Sequence, residues 1–223
     1  MKTLYLVRHA SAVDRDSSMR DSDRILSSKG QEQSKIMARL FKEQANTPEL
    51  WISSHARRAL ETAYIFAEIL GYPRENIVIN KKIYNEDSGS RFLHLLYALE
   101  EKLSSSIIFG HEPTLSEFAS CLIKKFHTGI PKAGILGIVF PYKKWLQIET
   151  GSGLLKLVLY PDSEKIARDI LKKSLKTALY DKNLELLQLM DKNTAKDMEN
   201  IITKCSEKIT KKFFKRAEGK DKE

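Results

Sequence analysis

Apolar positions recur along the first 160 residues in two alternating rhythms. Short apolar runs occur at Thr3–Val7, Leu50–Ser53, Ile77–Ile79 and Ser106–Phe109, each of strand length. Between them the spacing changes to that of a helix. Ile36, Met37, Leu40 and Phe41 predict a helix over Ser28–Gln44. Ala59, Ala63, Phe66, Ala67 and Leu70 predict another over Arg57–Leu70, with Gly71 placed to cap its C-terminus. Phe92, Leu95, Leu96 and Leu99 mark a third over Ser90–Leu103, and Thr114–Phe126 a fourth. Three β-rich segments then follow in a row, Ile135–Phe140, Trp145–Thr150 and Leu154–Tyr160. Strands alternating with helices predict an α/β fold, a three-layer α/β/α sandwich around a mostly parallel sheet. The late β run predicts an antiparallel edge.

The pattern changes near Pro161. All six prolines, both tryptophans and every glycine except Gly219 lie at or before that point. Beyond it, apolar residues such as Ile166, Ile170 and Leu171, then Leu184 and Leu187, then Ile201, Ile202, Cys205 and Ile209 repeat at helical spacing. The expected organisation is a domain over 1–162 and a basic amphipathic helical extension over 163–223. Its helices have three outlets: packing on the domain, pairing with a second copy of the chain as a homodimer, or docking an acidic partner protein.

Composition narrows the class. Of 223 residues, 42% are hydrophobic and 30% charged, a balance that supports a folded core and argues against wholesale disorder. No apolar run approaches the roughly 20 residues of a bilayer span. The apolar N-terminal stretch meets Arg8 too soon for a signal peptide. Two distant cysteines, Cys121 and Cys205, exclude a disulfide framework and argue against a cysteine-based metal site, so the expected compartment is the cytoplasm. The net charge is +9: residues 1–162 hold 22 basic and 18 acidic side chains (+4), and 163–223 hold 16 and 11 (+5). Such a chain favours anionic partners. No aromatic or motif signature supports nucleic acid.

Chemistry-bearing residues gather where strands end, the edge at which open α/β sheets carry their sites. Arg8-His9-Ala10 follows the first strand. Ser53-Ser54-His55-Ala56-Arg57-Arg58 follows the second and opens a helix. Gly110-His111-Glu112-Pro113 follows the strand ending at Phe109 and opens another. Tyr84-Asn85-Glu86-Asp87-Ser88 precedes the third helix. Paired arginines and histidines suit attack on a phosphate. Arginines neutralise its oxygens through bidentate hydrogen bonds. A neutral histidine can attack phosphorus, and helix N-termini add their positive ends. Such a site calls for neither cofactor nor metal.

Arg8-His9-Ala10, the segment Ser53–Ala63 (SSHARRALETA) and Phe109-Gly110-His111-Glu112-Pro113 together resemble the histidine phosphatase superfamily, also called phosphoglycerate mutase-like. The likeness covers roughly residues 1–162. The RHA form, the small domain and Ser27–Gln33, similar to an LTxxGxxQ segment, look most like the SixA-type phosphohistidine phosphatases. The resemblance implies that His9 is the nucleophile that becomes phosphorylated, with Arg8, Arg58 and His111 binding the phosphate. Arg58 matches the second arginine when aligned without a gap, and Arg57 is the alternative after a one-residue slip. His55 replaces a usual proline and is expected as an exposed loop residue, and His94 and His127 fall on helices away from catalysis. Ala12 stands where mutases carry a hydroxyl residue, the asparagine that commonly follows is missing from Val13–Ser18, and long insertions are absent, which disfavours mutase activity.

A general acid is less well marked. Glu86 is the first candidate by position, then Asp87 and Asp14. An imidazole leaving group, with a pKa of about 6.5, needs such an acid less than an alkoxide does. The function expected is hydrolysis of phosphohistidine on a protein. The alternatives are a phosphomonoesterase for small phosphorylated substrates and a catalytically weak phosphate-binding module working through its helical extension.

Overall fold

Strand β1, Lys2–Arg8, lies inside a six-stranded sheet ordered β3-β2-β4-β1-β5-β6, as seen in a computed structural model that describes residues 1–85, 91–124, 126 and 128–161. The other strands are β2 (Leu50–Ser53), β3 (Val78–Ile79), β4 (Ser105–Gly110), β5 (Ile135–Phe140) and β6 (Leu154–Leu159). β3, β2, β4 and β1 run parallel, whereas β5 and β6 join antiparallel, as expected for the late β run. Residues Met1–Pro161 form one compact unit. The predicted extension over 163–223 lies outside the described residues.

Alternation along the strands sends side chains to two faces. Leu4, Leu6, Ile52, Ile108 and Leu136 meet Leu115, Phe118 and Leu122 of helix α5 (Thr114–Leu122) and Leu96 of α4 (Arg91–Tyr97). Val7, Trp51, Ile107, Phe109 and Ile135 meet Met37, Ala38 and Phe41 of α1 (Ser28–Gln44), and Ala63, Phe66 and Ala67 of α2 (Arg57–Leu70). Helices therefore cover both faces of the sheet, giving three layers. Ser27 caps α1 by accepting from Gly30 N–H at 3.2 Å, and Gly71 ends α2 in the left-handed conformation at φ 73°. Between α2 and α4 lies the single turn α3 (Lys82–Asn85).

The register positions the chemistry. Arg8 lies opposite Gly110, and Ser53 opposite Phe109. β1, β2 and β4 therefore finish level, and the residues that follow, His9, Ser54 and His111, emerge side by side.

Three predicted elements differ. Trp145–Thr150 is not a strand; Trp145–Gln147 forms a 3₁₀ turn. The Trp145 indole is fully buried and donates to the Leu103 carbonyl at 2.8 Å, and its backbone N–H donates to Glu101 at 2.8 Å. Side-chain anchoring thus replaces ladder pairing. The helix predicted to reach Leu103 ends at Tyr97, and its first residue, Ser90, lies outside the described residues. The helix predicted to reach Phe126 stops at Leu122, because the Leu122 carbonyl accepts from Gly153 and Ile123 bridges to Ser152.

Candidate active site

The turn after β1 is held from several sides. His9 N–H donates to the Gly110 carbonyl at 3.0 Å, and the His9 carbonyl accepts from Ala133 N–H at 3.1 Å. Ala133 takes φ 60°, a conformation rare for a residue with a side chain. Ala10 N–H donates to Thr62 Oγ1 of α2 at 3.2 Å. Ser11 gives its hydroxyl to Gln33 Oε1 at 2.8 Å. A Cβ on Gly30 would stand 1.9 Å from the Ser11 carbonyl oxygen, so only glycine lets α1 approach this closely. These contacts give the Ser27–Gln33 segment its physical role: it buttresses the Arg8-His9-Ala10 turn.

His9 is 8% exposed. Its Nδ1 lies 2.7 Å from the Ala10 carbonyl, which can only accept, so Nδ1 carries the proton and Nε2 the lone pair. Nε2 accepts from Arg58 Nε at 3.2 Å. Burial lowers the His9 pKa from 6.5 to about 4, and the charges of Arg58, Arg8 and Lys132 push the same way. The ring is thus a neutral imidazole near pH 7 with its free nitrogen directed at a guanidinium.

Arg58 projects from the first turn of α2 and is itself buried. Its Nη1 donates to the Asp21 carbonyl at 2.5 Å and its Nη2 to Asp21 Oδ2 at 2.7 Å. Neighbouring residues on a helix point about 100° apart, and Arg57 accordingly faces outward to Glu61 at 3.5 Å. Asp21 sits on a 3₁₀ turn, Asp21–Asp23. Its Oδ2 also accepts from the Tyr84 hydroxyl at 2.6 Å, and its Oδ1 from Arg24 at 3.0 Å. The Tyr84 hydroxyl, with Arg24 and Arg58, holds the Asp21 carboxyl well below the usual range.

His111 lies on the other side, its ring centroid 5.1 Å from that of His9. Its Nε2 shares a 2.8 Å hydrogen bond with Ser54 Oγ, and its Nδ1 is buried without a protein partner. Burial, then the neighbouring His9 and Arg58, lowers its pKa to about 2. Arg8 donates from Nη1 to the Ile130 carbonyl at 2.8 Å, and its Nε is buried and unpaired. A cavity of about 360 Å³ opens here, lined by Asp21, Arg58, Tyr84, His111, Glu112 and Thr114 among others. His9 is not part of that lining; its Nε2 is covered by Arg58, which is.

His9, Arg8, Arg58 and His111, all read from the sequence, therefore meet in one place. Glu86 and Asp87 lie outside the described residues, as does His127. Asp14 is exposed. His94 is exposed on α4. His55 differs from expectation: it is half-buried, with its ring edge against Tyr84 at 5.0 Å. Asp21, Ser54, Tyr84, Glu112 and Lys132 escaped sequence reasoning as site residues. Tyr84, Ser54 and Glu112 stood inside the strand-end segments and only lacked a partner to define them. Asp21 sits in an ordinary charged run that carries no signal. Among the described residues no group of three His, Cys, Asp or Glu could hold a metal ion, and no helix is long and apolar enough to cross a membrane.

The depressed imidazoles make stability depend on pH. Unfolded histidines take up protons near 6.5, whereas His9 and His111 resist until about 4 and about 2. The stability they contribute is complete above pH 6.5 and is lost as the pH falls towards 4. Glu112, pushed up by burial, acts in the opposite direction, one carboxyl against two imidazoles. The urea midpoint is expected to be lower at pH 5 than at pH 7.5. Equal midpoints would show that these rings protonate in the folded chain as they do in water.

Known proteins resemble this chain in sequence and in fold. The sequence model of the histidine phosphatase superfamily (branch 1) matches residues 4–83. An uncharacterized protein of Picosynechococcus is 30% identical over 139 residues, covering 60% of this chain and 83% of that protein. A solved structure from Agrobacterium tumefaciens, named for the phosphohistidine phosphatase SixA, is 25% identical with a TM-score of 0.62, covering 72% of this chain and 98% of its own. The protein histidine phosphatase SixA in complex with tungstate superposes with the same TM-score at 21% identity, over 73% of this chain and 99% of its own, and shares the fold. A mycobacterial glucosyl-3-phosphoglycerate phosphatase shares it too, with TM-score 0.56 and 16% identity over 70% of this chain and 98% of its own. With its RHA turn, helix-borne arginine and second histidine set at the ends of parallel strands, the chain belongs to the histidine phosphatase superfamily and is a metal-independent phosphatase of that type.

Proposed function

We propose that this phosphatase works through a phosphohistidine formed on His9 and acts on phosphohistidine carried by a protein. The observation that carries the mechanism is the His9 ring. Its proton is fixed on Nδ1 by the Ala10 carbonyl, and its lone pair on Nε2 points towards Arg58. A phosphate entering the cavity takes the place of Asp21 on the Arg58 guanidinium. Arg8 and His111 complete the cradle, since each holds a buried nitrogen without a protein partner. Nε2 attacks phosphorus, the bond to the leaving group breaks, and charge gathering on the equatorial oxygens meets donors already in position. Water then attacks phospho-His9, releasing phosphate and restoring the imidazole.

The protein substrate rests on the SixA-like fold and on leaving-group chemistry. A phosphoramidate expels an imidazole with a pKa of about 6.5, which leaves far more readily than an alkoxide. The second reading, a phosphomonoesterase for small molecules, draws on the cavity of about 360 Å³, a size that houses small ligands. Turnover of a phosphohistidine peptide, phosphoserine and para-nitrophenyl phosphate separates the two. The peptide is expected to exceed phosphoserine in kcat/KM by at least about 100-fold, a difference of about 2.7 kcal/mol in transition-state stabilisation. Comparable values for all three would move the assignment to a broad phosphomonoesterase.

A further inference from the structure

We propose that Ser54 is the positioning residue of His111: its hydroxyl donates to Nε2 and so keeps the ring proton on Nδ1, where a phosphate oxygen accepts it. This inference rests on the phosphate cradle described above and supplies the proton that its His111 side needs. Ser54 and His111 follow the paired strands β2 and β4, and Ser54 N–H donates to the Phe109 carbonyl at 2.9 Å. Ser54 is fully buried. Its Oγ lies 2.8 Å from His111 Nε2 and accepts from Ala56 N–H at 3.3 Å. Among the described residues the hydroxyl has no other polar partner.

Counting hydrogens decides between two arrangements. A hydroxyl has one hydrogen and two acceptor sites, and a neutral imidazole has one N–H and one lone pair. Burial keeps the His111 ring neutral near pH 7. With the ring proton on Nε2, Ser54 Oγ would accept from both Nε2 and Ala56. Its own hydrogen would then be buried without an acceptor, an arrangement that forfeits a hydrogen bond and gains none. Nδ1 would also turn a bare lone pair towards a phosphate anion. With Ser54 donating to Nε2, the hydroxyl hydrogen is used and Ala56 stays satisfied. The single group left over is the Nδ1–H, which a phosphate oxygen can accept.

The surroundings of the ring leave Nδ1 to the ligand. It is buried without a protein partner, on a side chain that lines the cavity. Tyr84 meets the ring edge-on at 5.2 Å, but its hydroxyl is spent on Asp21. Both nitrogens of His9 are engaged, with the Ala10 carbonyl and with Arg58. The bond from Ser54 also fixes which way the ring faces, because a half-turn would bring Cε1 rather than Nε2 to the hydroxyl. The two histidines thus carry the same tautomer and use opposite ends of it: His9 offers its lone pair, and His111 its proton.

The test is nitrogen-15 NMR of the full chain labelled in its histidine rings, near neutral pH, with the His111 signals assigned by their loss in His111→Asn. Wild type is expected to show His111 protonated on Nδ1 and bare on Nε2, and the Nδ1–H signal is expected to move when inorganic phosphate is added. Ser54→Ala is expected to populate the Nε2–H tautomer. Its affinity for inorganic phosphate and its kcat/KM on a phosphohistidine peptide are expected to fall about tenfold, the scale of one neutral hydrogen bond. Ser54→Thr keeps the hydroxyl and is expected to restore the tautomer and most of both losses. A wild-type ring protonated on Nε2 overturns the inference whatever the variants do. So does a tautomer that changes in Ser54→Ala without loss of affinity, or a loss of affinity with the tautomer unchanged. An Nδ1–H that ignores saturating phosphate overturns the cradle itself, a failure visible in the same spectra and separate from the hold of Ser54 on the ring.

Discussion

His9→Ala is expected to fold and to lose turnover by at least about 10⁴-fold, with no phosphate trapped on the protein after rapid quenching. The size of the loss follows from removal of a nucleophile, which leaves only the preorganised surroundings to act on the substrate. Folding is expected to survive because the turn does not depend on the imidazole. His9 N–H and carbonyl are bound to Gly110 and Ala133, and Ala10 is bound to Thr62. The substitution removes a buried polar ring whose hydrogen bonds go to its own neighbour and to Arg58. Arg58 keeps its two bonds to Asp21, so no guanidinium is left without a partner. Mass spectrometry of wild type quenched during turnover is expected to show one phosphate on His9. An adduct on His111 instead would exchange the roles of the two histidines.

Arg58 carries the second large effect. Loss of one preorganised donor to a developing oxyanion commonly costs about 10² to 10³ in rate. Arg58→Ala is expected to fall at least that far, because the same side chain also meets His9 Nε2. Arg58→Lys is the sharper test. A guanidinium serves three acceptors here in a fixed fork: His9 Nε2, the Asp21 carbonyl and the Asp21 carboxylate. An ammonium has no planar fork and cannot hold that set in one orientation. The lysine variant is therefore expected to recover less than about tenfold of the alanine loss in kcat/KM, while its melting temperature returns closer to wild type. Near-wild-type activity in Arg58→Lys would mean that charge alone suffices and that the alignment with His9 is incidental.

The parts legible in the sequence share a cause. Ser28–Gln44, Arg57–Leu70 and Ile135–Phe140 were readable because each presents an uninterrupted periodic face to a sheet or helix. Trp145–Thr150 misled because aromatic and branched residues favour strands, while the indole of Trp145 found Leu103 and Lys2 in three dimensions. The strand-end rule brought His9, Arg58 and His111 to one edge from residue order alone. Distance in the chain hid the rest. Asp21 lies 37 positions from Arg58, and Tyr84 lies 63 from Asp21. Glu112 could be seen as a letter in Gly-His-Glu-Pro, but only the Ser116 hydroxyl and the Ile130 backbone N–H show that one of its oxygens is tethered and the other is not.

The sheet order has a consequence for how the molecule opens. β1 is flanked by β4 and β5, and beyond those by β2 and β6, so fraying at β3 or β6 must cross two or more ladders before it reaches the turn bearing His9. Amides of Leu4 to Val7 would then exchange with solvent water only when the whole unit unfolds, whereas those of the two-residue strand at Val78 exchange early. Substrate enters and product leaves on a timescale far shorter than such global events. In the proposed mechanism the chemistry thus rides on the slowest-breathing part of the backbone, and what yields on each turnover is the pairing of Arg58 with Asp21.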